Sequence, residues 1–584
     1  MSGNRLETPP RPTLAAALSA CRGALIGIGA ISFFTNLLML TGPLFMLQIY
    51  DRVLTSRSVP TLVALLILVA GLFAFMGLLE FIRSRILVRV GLRIDRVLNG
   101  PVFDAILRTG MTATSQRNDT QTLRDLDQLR QFISGPGPLA IFDMPWAPVY
   151  FAVIFMFHWW LGLVAIAGAT ILLILSLLNE FVSKRPLAEA SAKSAMSFTL
   201  AEAGRRNSDV LRAMGMVDAY HDRWASQRHG ALGSHTRASD IAGTITAVTK
   251  VTRLFLQSLM LATGAYLALQ QIVTPGIMIA ASIILSRALA PIEQAVGNWR
   301  AFITARQGAK RIKVALESLP ANDARMVLPE PTGKLSVSKL YAAPPGITEP
   351  ILKAINLKLE PGDALGVIGP SASGKSTLAR VLVGVWPTLK GAVRLNRAAL
   401  DQWDRKQLGR NVGYLPQDVE LFDGTVEENI ARFDQERDPE DIVSAAQKAG
   451  VHDLILHLAD GYETQIGEGG AVLSAGQRQR VALARALYGN PVFVVLDEPN
   501  SNLDAEGETA LTEAILKLRE EGCAIVVMAH RPSAIAAVNL LLVLREGRQI
   551  GFGPKDEVLR EHVKGGSETT NQGNVRKIQR RRSA

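Results

Sequence analysis

The sequence predicts two joined parts, an all-α membrane domain and, after it, an α/β nucleotide-binding domain of the phosphate-binding-loop type. Long apolar runs fill the first half of the chain, and Gly369–Ser376 fits the pattern G-x-x-x-x-G-K-[ST]. Residues 334–560 alternate short apolar strands with helical patterns, which is typical of an α/β domain. Since 584 residues are too many for a single core, we expect separate domains.

Six apolar runs are long enough to cross a bilayer, because a spanning helix needs about 20 apolar residues. The run 145–178 is too long for one span, and we expect it to divide at the turn His158–Gly162. The predicted spans are Ala24–Leu47, Pro60–Leu79, two within Pro145–Leu178, Thr244–Leu269 and Gly276–Pro291. The alternative, a soluble protein with six core helices, is disfavoured because these runs exceed ordinary helix lengths.

The basic residues predict the orientation of these spans. The net charge is +11, and arginines are dense in 83–139 and basic residues recur in 179–243, so we place both stretches in the cytoplasm. Both termini then lie inside, and the chain is expected to be a multi-pass membrane protein. Each inner stretch holds about 55–65 residues, enough for helices that extend well beyond the lipid bilayer. Because the arginines are not interleaved with aromatic residues, we expect no nucleic-acid partner.

Charged residues also lie in or beside the last two spans: Lys250, Arg253, Arg287 and Glu293. Charges within lipid are costly, so these side chains need partners or water. Arg287 and Glu293 either line a polar cavity or form structural ion pairs, and the sequence leaves both possibilities open.

The predicted domain organisation has five parts. Residues 1–20 are a cytoplasmic lead, either an interfacial helix or a flexible tail, and residues 318–333 are a proline-rich linker. The basic residues of the C-terminal tail favour a disordered segment near an anionic membrane face. In order, the parts are 1–20, the membrane domain 21–317, the linker 318–333, the nucleotide-binding domain 334–560 and the basic tail 561–584.

The phosphate-binding loop lies between a buried strand and a helix, which is the context that a P-loop NTPase requires. Its backbone N–H groups and the helix N-terminus are suited to hold phosphate charge. Lys375 would reach the β- and γ-phosphates of ATP, and the Ser376 hydroxyl would ligate Mg²⁺. A chance glycine-rich turn is the alternative. The nucleotide-binding residues predicted here are Gly369, Pro370, Ser371, Ala372, Ser373, Gly374, Lys375, Ser376 and Thr377.

Two carboxylates end a second buried strand, Pro491–Leu496. Asp497 is expected to hold Mg²⁺, and Glu498 to polarise the water that attacks the γ-phosphate. A strand followed by an acidic turn is the alternative, which is weak beside a phosphate-binding loop about 120 residues upstream.

The stretch Leu473-Ser-Ala-Gly-Gln477 resembles the signature LSGGQ of the ABC transporter ATPases, with Ala475 in place of glycine. The resemblance covers residues 330–560. In that family the signature contacts the γ-phosphate bound by the other subunit, which implies that role for Ser474, Gly476 and Gln477. One ATPase domain behind six spans, a layout usual for ABC exporters, implies a homodimer.

The same resemblance implies roles for three further residues. Tyr341 is placed like the aromatic residue that stacks on adenine. Gln417, in Tyr414-Leu-Pro-Gln417, resembles the glutamine that senses the nucleotide, ligates Mg²⁺ and faces the membrane helices. His530 resembles the switch histidine, so the implied catalytic residues are Glu498, His530 and Gln417.

Three membrane-domain segments resemble the type I secretion permeases of the PrtD group: Gly42–Leu54, Asp143–Tyr150 and Ala213–Met216. This resemblance implies export of unfolded proteins, RTX-type proteases or similar, that carry a C-terminal signal. It also implies a periplasmic adaptor and an outer-membrane duct as partners. The short lead before span one argues against the haemolysin and bacteriocin-processing groups. Alternatives are an exporter of lipid or drug-like amphiphiles, and a membrane-tethered ABC ATPase without transport.

Overall fold

The computed structural model describes residues 13–109, 119–317, 328–530 and 535–562. These residues form two compact units, one ending at residue 317 and the other beginning at residue 328. The predicted tail beyond His562, most of the predicted linker and the first twelve residues of the predicted lead lie outside the described residues.

The first unit is entirely helical. Thr13 caps its first short helix, accepting a hydrogen bond from the backbone N–H of Ala16. Its helices are α1 (Leu14–Ser19), α2 (Arg22–Leu38), α3 (Thr41–Gln48), α4 (Leu54–Ser56), α5 (Val59–Thr109), α6 (Asp119–Ser134), α7 (Gly137–Asp143), α8 (Ala147–Phe157), α9 (Trp159–Arg206), α10 (Ser208–Ala213), α11 (Val217–Leu269), α12 (Pro275–Gly297) and α13 (Trp299–Glu317). A π-helical turn, Ile49–Val53, joins α3 to α4, and a 3₁₀ turn, Met144–Trp146, joins α7 to α8.

Six stretches among the described residues are long and apolar enough to cross a membrane, which matches the predicted number. The most apolar window of the second stretch is only 6% buried, as expected for a surface that faces lipid. The six stretches are Arg22–Ser56, Val59–Arg108, Gly137–Phe157, Trp159–Asn179, Val217–Leu269 and Pro275–Gly297. The chain is therefore a multi-pass membrane protein.

Three helices run far beyond the apolar segments that they contain. Helices α5, α9 and α11 have 51, 48 and 53 residues. At a rise of about 1.5 Å per residue, each is longer than about 70 Å, more than twice the hydrocarbon thickness of about 30 Å. The basic stretch 179–243 thus consists mostly of continuations of α9 and α11, which pack along each other, and residues 83–109 of the other basic stretch continue α5.

A buried polar cluster joins the first three spans. Arg83 on α5 donates to Oδ1 of Asp143 at the end of α7, over 2.9 Å, and to the Ser32 hydroxyl on α2. Asn36 on α2 donates to the same Asp143 oxygen over 2.9 Å, and the Tyr150 hydroxyl donates to Asn36. Because an unpaired charge buried here would be costly, this cluster fixes α2, α5, α7 and α8 to one another.

A second ion pair accounts for Glu293, one of the two charges of the sixth span whose role the sequence leaves open. Arg253 on α11 lies 2.8 Å from the Glu293 carboxylate on α12, and it also donates to the Ser286 hydroxyl. Glu293 is therefore part of a structural ion pair rather than an isolated charge in a cavity.

The second unit is an α/β domain with one ten-stranded sheet. Its strands are β1 (Leu335–Ala342), β2 (Leu352–Leu359), β3 (Ala364–Ile368), β4 (Lys390–Leu395), β5 (Ala398–Ala399), β6 (Val412–Leu415), β7 (Phe493–Asp497), β8 (Ala524–Met528), β9 (Leu540–Arg545) and β10 (Arg548–Pro554). Its helices are α14 (Lys375–Leu382), α15 (Arg405–Asn411), α16 (Val426–Ile430), α17 (Pro439–Lys448), α18 (His452–Leu456), α19 (Ala475–Leu487), α20 (Ala505–Glu520) and α21 (Lys555–His562).

The strand order is β5-β4-β1-β2-β10-β9-β3-β8-β7-β6. Strands β1, β2, β4 and β5 pair antiparallel, whereas β9, β3, β8, β7 and β6 pair parallel. Strands β7 and β8 are buried along their whole length, so both faces of the sheet are covered there. The carboxyl ends of β3, β8, β7 and β6 meet at one edge, the usual ligand position in such sheets. The predicted fold class is confirmed.

Candidate nucleotide site

The phosphate-binding loop turns from β3 into α14 through two left-handed residues. Gly374 has φ of +99°, and a Cβ atom there would lie 2.8 Å from Cδ2 of Leu352, so only glycine fits. The second is Ala372, with φ of +63°. Ser371, beside it, is exposed. Ser373 is 2% exposed, and its hydroxyl has no hydrogen-bond partner among the described residues. A loop with an unpaired buried hydroxyl at the start of α14 fits a phosphate group.

Lys375 begins α14 and is only 5% exposed. Its Nζ donates to the carbonyl oxygens of Gly369 and Pro370, over 2.8 and 3.1 Å. Burial lowers the pKa of Lys375, while the nearby Glu498 and Asp497 carboxylates act in the opposite direction. The ammonium group thus lies within the loop, between its carbonyl oxygens.

Three oxygen ligands converge beside this lysine. The Ser376 hydroxyl lies 3.3 Å from Oδ1 of Asp497 and 3.4 Å from Oε1 of Gln417. Burial raises the pKa of Asp497, and the neighbouring Glu498 charge raises it further, while the Ser376 hydrogen bond lowers it. Hydroxyl, amide and carboxylate oxygens are the ligands that Mg²⁺ prefers, so these side chains fit a magnesium ion.

The next carboxylate is held by a histidine. His530, just after β8, places Nε2 3.0 Å from Oε1 of Glu498. Glu498 has φ of +53°, a strained conformation for a glutamate, and its N–H donates to Met528 O over 3.1 Å. The side chain of Glu498 is 21% exposed, so water reaches its carboxylate.

Tyr341 lies in β1, opposite Lys390 of β4, whose Nζ is 6.0 Å from the ring centroid. The adjacent Ala342 pairs with Leu352, the residue that contacts Gly374. The tyrosine therefore belongs to the antiparallel part of the sheet, in the strand that pairs with β2, and Leu352 of β2 lies beside Gly374 of the phosphate-binding loop.

The signature segment opens α19. Ser474 caps this helix by accepting from the Gln477 N–H, and Gln477 Oε1 accepts from the Ser474 N–H over 2.8 Å. Ala475 fits at the first helical position. A Cβ atom on Gly476 would lie 3.0 Å from the carbonyl oxygen of Asn502, so that glycine permits a close approach of two backbones.

The predicted residues fall into two groups. The first surrounds the carboxyl ends of the parallel strands and consists of Gly369–Thr377, Gln417, Asp497, Glu498 and His530. Thr377 is buried behind the loop on α14. Within the described residues, no hydrogen bond or ion pair joins Ser474 or Gln477 to the phosphate-binding loop. The signature therefore does not complete this site within one chain.

Sequence reasoning missed Gln479, which is 2% exposed and lies behind Glu498. Its signal was a polar side chain among the apolar residues Val481, Ala482 and Leu483, on the buried side of α19. Such a residue needs hydrogen-bond partners, and the sequence does not say where they are.

Comparison with known proteins agrees with this geometry. Residues 352–501 match the family "ABC transporter", and residues 25–289 match the family "ABC transporter transmembrane region". A bacterial Atm1-family ABC exporter, solved with ATP bound, superposes with a TM-score of 0.80 at 20% identity. That likeness covers 97% of this chain and 99% of the exporter, and it shows the shared fold.

Two relatives resemble this chain over more than nine-tenths of its length. The type I secretion system ATP-binding protein PrsD of Rhizobium meliloti (strain 1021) is 51% identical over 93% of this chain and 94% of its own length. The leukotoxin translocation ATP-binding protein LktB of Mannheimia haemolytica is 28% identical over 91% of this chain and 75% of its own. The ATPase domain binds ATP and hydrolyses it to drive transport. This chain belongs to the ABC exporters, in their type I secretion group of joined permeases and ATPases.

Proposed function

We propose that this chain is the inner-membrane permease and ATPase of a type I protein secretion system, and that it acts as a homodimer. The proposal depends mainly on the convergence of Ser376, Gln417, Asp497, Glu498 and His530 at one sheet edge. Among the described residues, Ser474 and Gln477 make no hydrogen bond to the phosphate-binding loop of their own chain. A second copy that supplies Ser474, Gly476 and Gln477 would complete each ATP site.

In this mechanism Ser376, Gln417 and Asp497 hold Mg²⁺, which would neutralise charge on the β- and γ-phosphates of ATP. Lys375 leaves the loop carbonyls and pairs with those phosphates. Glu498 accepts a proton from the attacking water, and His530 orients its carboxylate. Tyr341 stacks on adenine, and Gln417 links the nucleotide to the membrane helices.

The relatives' names support a protein substrate, since one belongs to a type I secretion system and another is named for leukotoxin translocation. We infer that the substrate is an unfolded protein with a C-terminal signal, RTX-type protease or similar. A periplasmic adaptor and an outer-membrane duct would complete the route. Both termini would be cytoplasmic, since the basic stretches 83–139 and 179–243 are placed inside.

Replacement of the proposed base tests the mechanism. Glu498→Gln should bind ATP normally but hydrolyse it at least about 100-fold more slowly, because general-base catalysis contributes about 10²–10⁴-fold. The measurements are phosphate release and secretion of the substrate protein by cells. Glu506→Gln, an exposed glutamate at the start of α20, is the matched control and should retain both activities.

Hydrolysis near the wild-type rate in Glu498→Gln would contradict the catalytic assignment. ATPase stimulation by small amphiphiles, with no secretion of protein by the wild type, would instead support the lipid or drug exporter.

A further inference from the structure

Gln479 lies behind the catalytic carboxylate and hydrogen-bonds to four residues there, Glu498, Pro499, Ser501 and Asn502. Its Nε2 donates to the carbonyl oxygens of Glu498, over 3.4 Å, and of Pro499. Its Oε1 accepts from the Asn502 N–H over 3.1 Å, with the Ser501 hydroxyl at 3.4 Å. The amide thus uses both ends on a single loop, residues 498–504, which we name the catalytic loop.

These hydrogen bonds help to fix the strained backbone conformation of Glu498. Glu498 has φ of +53°, which a non-glycine residue keeps only when its surroundings fix it. The other described hydrogen bonds of its backbone are the Glu498 N–H bond to Met528 O and the Ser501 N–H bond to Glu498 O. Because Gln479 is 2% exposed, water does not replace its hydrogen bonds when they are lost.

Two further contacts bind the same helix to the same loop. Arg480 lies 2.6 Å from Oδ1 of Asp504, with its side chain 10% exposed. Gly476 approaches the Asn502 carbonyl closely enough that a Cβ would lie 3.0 Å away. The first turn and a half of α19, including the signature, and the catalytic loop are therefore held together at three points.

We propose that Gln479 is a positioning residue for ATP hydrolysis, holding the catalytic loop so that the Glu498 carboxylate points at its water. This inference rests on the proposed function, in which Ser474 contacts ATP of one site and Glu498 acts at the other. Gln479 then joins the two sites through one chain: a shift of α19 on nucleotide contact moves the backbone that carries the base.

The test compares steady-state ATPase kinetics of the full-length protein in lipid vesicles. Gln479→Leu should lower kcat by about tenfold to 100-fold, because a misplacement of about 1 Å costs up to about 10²-fold. KM for ATP should stay within about twofold of the wild-type value, since the Gln479 side chain contacts none of the residues predicted to bind the nucleotide. Gln479→Glu keeps the volume of the side chain but removes the N–H donors, and it should lower kcat as well.

Gln407→Leu is the matched control. Gln407 also uses both ends of its amide on one backbone residue, donating to Leu328 O and accepting from Leu328 N, away from the catalytic loop. Its loss should lower the unfolding temperature but leave kcat within about twofold of wild type. A purely structural role for Gln479 predicts the same result for both glutamines.

The proposal is overturned if Gln479→Glu hydrolyses ATP at the wild-type kcat, or if Gln407→Leu loses as much kcat as Gln479→Leu. Glu498→Gln separates the two hypotheses. An inactive Glu498→Gln beside an active Gln479→Glu refutes only the positioning role, whereas an active Glu498→Gln refutes the proposed function itself.

Discussion

Asp497 illustrates how one buried side chain acquires its chemistry from its position. It ends a strand whose five residues are all buried, yet its carboxylate faces the Ser376 hydroxyl. Burial and the charge of the neighbouring Glu498 raise the pKa of Asp497. The protein therefore favours the ionised carboxylate less than water does. A divalent cation would reverse that preference, because it stabilises the charged form.

The raised pKa predicts a pH dependence of Mg²⁺ binding. As pH falls, Asp497 takes up a proton at a higher pH than an ordinary aspartate, and the proton competes with the metal. The Mg²⁺ concentration that half-saturates ATP hydrolysis should therefore rise as the pH is lowered into the acidic range. Titrations of ATPase activity with Mg²⁺ at several pH values measure it. Glu506→Gln should keep the rise, and a half-saturating concentration independent of pH in the wild type would contradict the assignment.

Sequence patterns pointed to the candidate site residues but not to the contacts that hold them in place. Ser376, Asp497 and Glu498 follow local patterns of strand, loop and helix, so their spacing was enough. The left-handed backbone of Glu498 and its anchor Gln479 depend on how α19 approaches the catalytic loop, a contact between segments about 20 residues apart. No local pattern encodes such a contact, and a buried polar side chain was its only trace.

At the scale of elements, the spans were predicted but their lengths were not. Hydropathy marks where a helix meets lipid, whereas the helix itself continues as long as its backbone bonds and its packing allow. Helix α11 therefore extends from Val217 to Leu269 although the predicted span began at Thr244. Packing of α9 against α11 stabilises these extensions, and hydropathy carries no record of that contact.

Helices α6 and α13 are joined by an ion pair whose carboxylate is fully buried. Asp125 accepts two hydrogen bonds from Arg311, over 2.6 and 2.7 Å, and these bonds raise the pKa of Arg311. Arg311→Met should lower the free energy of unfolding by about 1.5–3 kcal/mol, because it leaves a buried charge without its partner. The shift is read as a lower unfolding temperature in detergent.

Lys313 on the same helix is the control. It forms only an exposed pair with Glu317, at 3.7 Å, which is expected to contribute less than about 1 kcal/mol. Lys313→Met should therefore leave the unfolding temperature almost unchanged. Equal shifts for the two variants would show that burial of Asp125 does not matter.

For the whole molecule, the proposed homodimer makes a geometric prediction. Ser371, in the phosphate-binding loop, and Ser474, in the signature, are both exposed. The test variant carries Ser371→Cys and Ser474→Cys together with Glu498→Gln, which should prevent hydrolysis of bound ATP. If one copy's signature closes over the other copy's phosphate-binding loop, the two cysteines should cross-link two chains when ATP is present. The product is a band of doubled mass on a denaturing gel, absent from either single-cysteine variant.

The two native cysteines do not interfere, because Cys21 and Cys523 are buried. Failure to cross-link in a variant shown to bind ATP would contradict the shared site.

The pairing of Arg83 with Asp143 has a consequence for biosynthesis. The ribosome completes α5 some 30 residues before Asp143 appears, so the newly inserted second span first carries its guanidinium group without a counter-ion. The carboxylate arrives only with the third span. We therefore expect the second span to be fastened to the third only once Asp143 has been inserted.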